Sequence, residues 1–313
     1  MKDSLVSVCI NTYNRKHILP STLKSVLKQT YRNIEIIIVD DFSTDGTKQL
    51  VVNEFLKLDK RIRYIRHNKN KGLAAGRNSA IFSARGKYFT FCDDDDQWLP
   101  DYIEKFISVA KNYNENWCFC CGGTYIKNKK KIKHIYRQKN LKLKQAILKG
   151  YTPPVAGQFY FTKTLKKCQG YNENIKSGVD HDLWLTLSYN NLSICFLSSP
   201  LAMPNSNENI ERMTNKFQKR SSKIEKSLKI WKKDFQNFYG QIAYQKFCNQ
   251  YKFDIFQSFL IQYLKQKKIL KIVELLFYQK NFFLLPKAIK NIFLKVINRK
   301  KTIITIKPHF KIN

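Results

Sequence analysis

Acid is scarce in this chain. Only 23 Asp and Glu stand against 57 Lys and Arg over 313 residues, a formal net charge of +34. Such an excess has three ordinary readings: nucleic acid, an anionic membrane surface or phosphate-rich substrates. Most of it is lysine beside many Asn and Ile, a bias that an AT-rich genome produces by itself, so charge alone selects none of the three. No run approaches ~18 uncharged apolar residues, and no transmembrane helix is expected. Nothing before Val6 has the build of a secretory leader. The eight cysteines contain no pair of CxxC motifs, so neither zinc nor a disulfide framework is expected. Cys9, Cys92, Cys118, Cys120, Cys121 and Cys195 lie in strand-like runs, where thiols act as small apolar residues. A reducing cytosol is the expected compartment. No repeat of solenoid period is present.

What is present is a core. Hydrophobic residues make up 43% of the chain and aromatics 14%, enough to order one large domain or two modest ones. The first 125 residues alternate strand and helix: Val6–Ile10, Ile34–Val39, Ile62–Ile65, Tyr88–Cys92 and Trp117–Cys121 read as strands. Ile18–Thr30, a segment capped near Ser43–Asp45 and running to Leu58, Leu73–Ala84 and Tyr102–Lys111 read as helices. That alternation predicts a mostly parallel sheet covered on both faces. Residues 127–149 are basic and read as loop and helix. Beyond residue 201 the chain carries 24 Lys and Arg against 6 Asp and Glu, a net of +18, with apolar residues at helical spacing.

Ligands of such sheets bind beyond the carboxyl ends of the strands. Three strand ends carry polar chemistry: Asn11-Thr12-Tyr13-Asn14, Asp40-Asp41 and the run Asp93-Asp94-Asp95-Asp96. Four adjacent carboxylates repel one another in solution. A divalent cation reverses that energy, and Mg²⁺ is typically held by one or two carboxylates plus substrate phosphates. The plain alternative is a solvated acidic turn capping the helix that begins near Pro100. Tyr13 is placed to stack on a nucleobase, or to pack within its loop.

In order and spacing, Val6 to Arg15, Ser25 to Tyr31, Val39 to Thr47, Asn70 to Asn78 and Phe91 to Pro100 resemble glycosyltransferase family 2 over roughly residues 4–200. The resemblance implies a GT-A nucleotide-sugar-binding fold and inverting transfer of a sugar from a nucleotide-diphosphate donor. It implies that Thr12 and Asp41 contact the base, with Asp40 equally suited to a structural role, and that Arg77 approaches base or phosphates. Gly72 and Gly76 would let the backbone pass close to the nucleotide. Alignment on Trp98-Leu99-Pro100 makes Asp93 and Asp95 the DxD pair. Asp93 then faces the ribose or metal waters, Asp95 coordinates Mn²⁺ or Mg²⁺, and Asp94 is solvated or on the ribose. Gly178 to Leu185 resembles the family segment that supplies the general base. Asp180 takes that position, with Asp182 as runner-up or helix cap and His181 as acceptor contact, alternative base or local hydrogen-bond partner. Val179 replaces the usual glutamate. Gly157 to Phe161 and Gly170 to Asn172 resemble the acceptor side. Arg212-Met213-Thr214 resembles a segment that closes over the donor phosphates, but the histidine common before it is absent.

The expected division is a GT-A catalytic region over 1–215, with a donor half (1–125) and an acceptor half (126–215), followed by basic amphipathic helices over 216–313. Those helices either lie on an anionic membrane at the cytoplasmic face of the inner membrane or pack on the catalytic region. The expected activity moves a hexose or N-acetylhexosamine, with UDP as the donor nucleotide, to a surface glycan or a lipid-linked glycan. Two other functions fit the sequence less well. A sugar nucleotidyltransferase would want a glycine-rich phosphate loop after the first strand, and Asn11 to Arg15 holds no glycine. A charge-driven nucleic-acid binder would place its phosphates against the acids of the cleft, so no nucleic-acid partner is expected.

Overall fold

The computed structural model describes residues 4–127, 130–136, 139–151, 154, 156–203, 217–265, 269–277, 286–287 and 303–306. β1 (Val6–Thr12), α1 (Leu19–Leu27), β2 (Ile34–Asp40), α2 (Thr47–Leu50), α3 (Leu56–Leu58), β3 (Ile62–Arg66), α4 (Leu73–Ser83) and β4 (Tyr88–Phe91) form the first half. A π-helical stretch, Val51–Phe55, joins α2 to α3. Asp45 prepares this helix by accepting both the Thr47 N–H (3.0 Å) and its hydroxyl (2.6 Å). The strand order β3–β2–β1–β4 is parallel throughout. β2 is buried along its whole length, as a strand covered on both faces must be. Alternate residues feed two cores. Val8, Ile10, Ile36 and Ile38 face α1 and the helix α5 (Tyr102–Ala110), while Cys9, Ile37, Val39 and Phe89 face α4.

The chain runs outward from β1 to β3, then crosses back to lay β4 on the other side of β1. The β1–β4 boundary is therefore the switch point of the sheet, where the loops diverge and leave a crevice. Beyond β5 (Gln97–Trp98), β6 (Trp117–Lys127) continues past its predicted end at Cys121. Residues 127–149 are not loop and helix throughout. β7 (Lys130–Tyr136) and β8 (Lys139–Lys142) precede α6 (Leu143–Leu148). In Lys130-Lys131-Ile132-Lys133-His134-Ile135-Tyr136 the apolar residues partly alternate with basic ones, a strand period that the lysine content obscures. β9 (Gln158–Phe161) runs antiparallel between β4 and β6, and β10 (Ser193–Met203) pairs β6 in parallel. α7 (Thr162–Lys167) and α8 (Val179–Tyr189) lie between them in sequence.

The C-terminal part is helical as expected over α9 (Phe217–Tyr239), α10 (Gln241–Lys265) and α11 (Ile269–Phe277). Trp231, Phe235, Phe253, Phe256 and Phe259 are buried in the same cluster as Leu183 and Trp184 of α8. The packing alternative thus holds for α9 and α10. β11 (Ile303–Ile306) then adds in parallel to β7. Among the described residues, no helix is long and apolar enough to cross a membrane.

Gly76 of α4 serves this packing. A Cβ there would lie 1.7 Å from the Asn11 Oδ1 at the end of β1, so the missing side chain lets helix and strand approach. Replacing a mid-helix glycine by alanine ordinarily gains about 1 kcal/mol. Overpacking costs about 1–3 kcal/mol, and at 1.7 Å the clash should win. Gly76→Ala is expected to lower the denaturation midpoint, and Asn11→Ala in the same chain to restore it.

Candidate active site

At the switch point the acidic run folds into a turn, with the Asp96 N–H donating to the Asp93 carbonyl at 2.9 Å. Thr22 of α1 holds that turn from below, its hydroxyl within 2.9 Å of the Asp94 carbonyl and 2.8 Å of the Asp96 carbonyl. The turn sends its side chains in different directions. Asp94 points inward and is 8% exposed, where a solvated or ribose-facing group was expected. Its Oδ2 accepts the Thr12 hydroxyl at 2.7 Å, which stitches β4 to the end of β1. Thr12 is itself buried and spends its hydroxyl on this bond. Burial pushes the Asp94 carboxyl up to about 7, against the opposing pull of Thr12 and Arg15 and with the push of Asp95 and Asp93.

Asp93 and Asp95 keep partial access to solvent, and each faces an arginine. Arg15 Nη1 lies 3.2 Å from Asp95 and 3.8 Å from Asp94. Arg77 Nη2 lies 2.9 Å from Asp93. Arg77 is 3% exposed, a buried residue of α4. Its other nitrogen donates to Asp180 at 2.7 Å and to the Tyr171 hydroxyl at 3.3 Å. Its guanidinium lies over the rings of Phe91 and Tyr171, at 4.9 and 5.4 Å. Burial opposes the charge, but Asp180, Tyr171 and Asp93 outweigh it and hold the guanidinium protonated.

Asp180 and Asp182 separate cleanly. Asp180 stands in the first turn of α8, partly exposed, with Gln158 Nε2 of β9 at 3.3 Å as its second donor. Gln158 is oriented in turn by the Tyr160 hydroxyl. Asp182 is 5% exposed and spoken for: its two oxygens accept the Trp231 indole N–H at 2.8 Å and the Asn172 N–H at 3.2 Å. Burial raises its carboxyl, and these two bonds only moderate the rise. Asp182 therefore anchors α9 to α8. The His181 ring lies tilted against the Tyr251 ring, with centroids 4.7 Å apart.

On the far side of the crevice Tyr13 is 46% exposed in the loop after β1. Asp41 is buried behind it. Its oxygens accept the Lys71 and Gly72 N–H groups at 2.8 and 2.7 Å, and His67 Nδ1 lies at 2.7 Å. It shapes the loop that leads into α4. Asp40 is fully buried and takes Tyr64, Ser43 and Arg66, the structural role. Arg212 lies outside the described residues. The geometry adds Arg15, Gln158 and Tyr171 to the site. All three sit inside the matched motifs, but no local pattern said that they would meet these carboxylates.

Among the described residues no group of three or more His, Cys, Asp or Glu side chains could hold a metal ion. Asp93 and Asp95 are nevertheless two accessible hard-oxygen donors on one turn, the donor set of a cation whose shell substrate phosphates complete.

Because the folded Asp94 titrates above an unfolded aspartate, the folded state binds the extra proton. Its stabilising share is full below about pH 4 and is lost as pH rises toward 7. Urea denaturation of the ligand-free protein should show about 2 kcal/mol lost between pH 5 and 7.5. Asp94→Asn should flatten that slope.

The glycosyl transferase family 2 model matches residues 7–167. An uncharacterized glycosyltransferase of Rickettsia felis is 38% identical over 203 residues, 61% of this chain and 31% of the relative. The Escherichia coli protein named UDP-Glc:alpha-D-GlcNAc-diphosphoundecaprenol beta-1,3-glucosyltransferase WfgD is 38% identical over 119 residues, 38% of this chain and 46% of the relative. This chain thus spans less than half the length of these curated relatives. The crystal structure of S. aureus TarS 1-349 in complex with UDP-GlcNAc superposes with a TM-score of 0.56 at 18% identity, over 82% of this chain and 80% of that one. That likeness bears out the α/β GT-A architecture. With the matched strand ends gathered at the β1–β4 switch point, the chain belongs to glycosyl transferase family 2.

Proposed function

We propose that this chain is an inverting glycosyltransferase that moves a hexose or N-acetylhexosamine from a UDP-sugar to a glycan or lipid-linked glycan. The observation that carries this reading is the meeting of Asp93 and Asp180 on one buried arginine, with Tyr13 open across the crevice. A nucleotide stacked on Tyr13 would lay its diphosphate toward Asp93 and Asp95. Mn²⁺ or Mg²⁺ held by these two carboxylates would supply charge neutralisation for the departing diphosphate. The acceptor would enter from the Asp180 side. Asp180 takes the proton of the attacking hydroxyl as that oxygen approaches the anomeric carbon opposite the leaving group. Arg77 and Gln158 fix the carboxylate for this task. WfgD is named for a UDP-Glc donor and a diphosphoundecaprenol-linked acceptor, and TarS 1-349 was crystallised with UDP-GlcNAc. Both support the substrate classes proposed here.

A lipid-linked acceptor places the enzyme at the cytoplasmic face of the inner membrane. α11 offers a contact: Leu270 is 80% exposed and Val273 44%, beside the exposed Lys271. Apolar side chains flanked by lysines suit an anionic leaflet. The apolar segments 281–285 and 292–297 lie outside the described residues.

Asp180→Asn should cut kcat by about 10²–10⁴ while UDP binding changes little. Asp182→Asn should keep its activity and lose thermal stability, because an amide accepts less well from the Trp231 indole. Inactivity of Asp182→Asn with a normal Asp180→Asn would move the base. For the membrane contact, Leu270→Glu with Val273→Glu should reduce sedimentation with phosphatidylglycerol vesicles at low salt and leave turnover on a water-soluble acceptor unchanged.

A further inference from the structure

Among the described residues, no carboxylate neutralises the cation at the start of α9. Arg220 lies in the first turn of α9 and is mostly buried, and its Nε has no hydrogen-bond partner. Among the described residues its neighbours are rings: Phe259, whose centroid is 6.0 Å from the guanidinium carbon, and Tyr251. Burial lowers the arginine's pKa, and among the described residues Tyr251 opposes that. A desolvated guanidinium without a counter-charge is costly, and the cost is recovered when an anion arrives.

Tyr251 of α10 ties this cation to the active site. Its hydroxyl is packed so tightly on Gly178 that a Cβ there would lie 2.3 Å from Oη. Its ring lies beside His181, and Asp180 is close enough to help burial raise the phenol's pKa. Arg220 and Tyr251 therefore adjoin the start of α8, on the acceptor side of Asp180. The donor side, with Tyr13 and Asp95, lies across the Arg77 bridge. A carboxylate from the protein would satisfy the arginine in advance. Asp180 does not do so, being already shared between Arg77 and Gln158. The planar fork of arginine matches phosphate oxygens two at a time.

We infer that Arg220, with the Tyr251 hydroxyl, forms a subsite for a phosphate or diphosphate group carried by the acceptor, beside the carboxylate that activates its hydroxyl. The inference rests on the proposed glycosyl transfer and specifies its acceptor as an anionic, phosphate-linked glycan. The names of WfgD and WfaP of Escherichia coli, both for GlcNAc-diphosphoundecaprenol acceptors, describe that chemistry in relatives 38% and 46% identical over their matched segments.

The test is calorimetric titration of the full chain, saturated with UDP and Mg²⁺, with farnesyl diphosphate, farnesol or inorganic pyrophosphate. Farnesyl diphosphate should bind and farnesol should not. Arg220→Gln should weaken the diphosphate by about tenfold or more. Arg220→Lys, which keeps the charge in a fold that tolerates it, should lose less. Pyrophosphate that binds as tightly and weakens equally in Arg220→Gln supports a site for the phosphate alone. Tighter binding of the farnesyl compound supports a lipid-linked source. Three results overturn the inference: no diphosphate binding to the UDP-saturated wild type, equal affinity in Arg220→Gln, or, in a separate titration of the UDP-free chain, competition between farnesyl diphosphate and UDP for one site. Failure of UDP itself to bind the wild type would instead remove the donor site and the proposed activity with it.

Discussion

The guanidinium of Arg77 is the constraint around which the site is arranged. It comes from α4, packed against the parallel sheet, and it reaches a carboxylate of the acidic turn and another at the start of α8. A buried cation with one partner would be expensive. With two carboxylates, a phenol and two aromatic faces it is well held, and in return it fixes the distance between the two halves of the molecule. Asp93 and Asp180 are 87 positions apart in the chain and meet at one side chain.

The scaffold serves that meeting from both sides. On the side of the parallel sheet Gly76 lets α4 sit close to Asn11, and the Thr12–Asp94 bond locks the acidic turn onto β1. One aspartate of the run is thereby spent on structure, while Asp93 and Asp95 keep partial access to solvent. On the α8 side the Trp231 indole grips Asp182 from α9, so the helix that carries Asp180 is fixed one half-turn further on. The C-terminal helices are thus part of the framework of the site. Their aromatic residues fill the core beneath α8, and their lysines account for much of the chain's charge.

Much of the fold was legible because parallel strands buried on both faces leave long β-branched runs, and Ile34–Val39 is such a run. The strand ends were legible for a related reason: polar residues directly after a buried strand must find water or a ligand. Residues 130–142 were harder. A strand there shows only a few apolar side chains among lysines, and its place in the sheet comes from β6 and β11, distant in sequence.

The sequence by itself determined the alternating strands and helices, the three polar strand ends and the two acidic segments that match the family. Those are local facts, set by periodicity and by residue type at a strand or helix end. Tertiary structure decided which acid does what. Asp93 to Asp96 are chemically identical along the chain, as are Asp180 and Asp182. They differ only because folding buries Asp94 against Thr12 and Asp182 against Trp231, and leaves Asp95 facing Arg15 while Asp93 and Asp180 share Arg77. A carboxylate's role follows from its solvation and its partners, and those are supplied by residues far away in the chain.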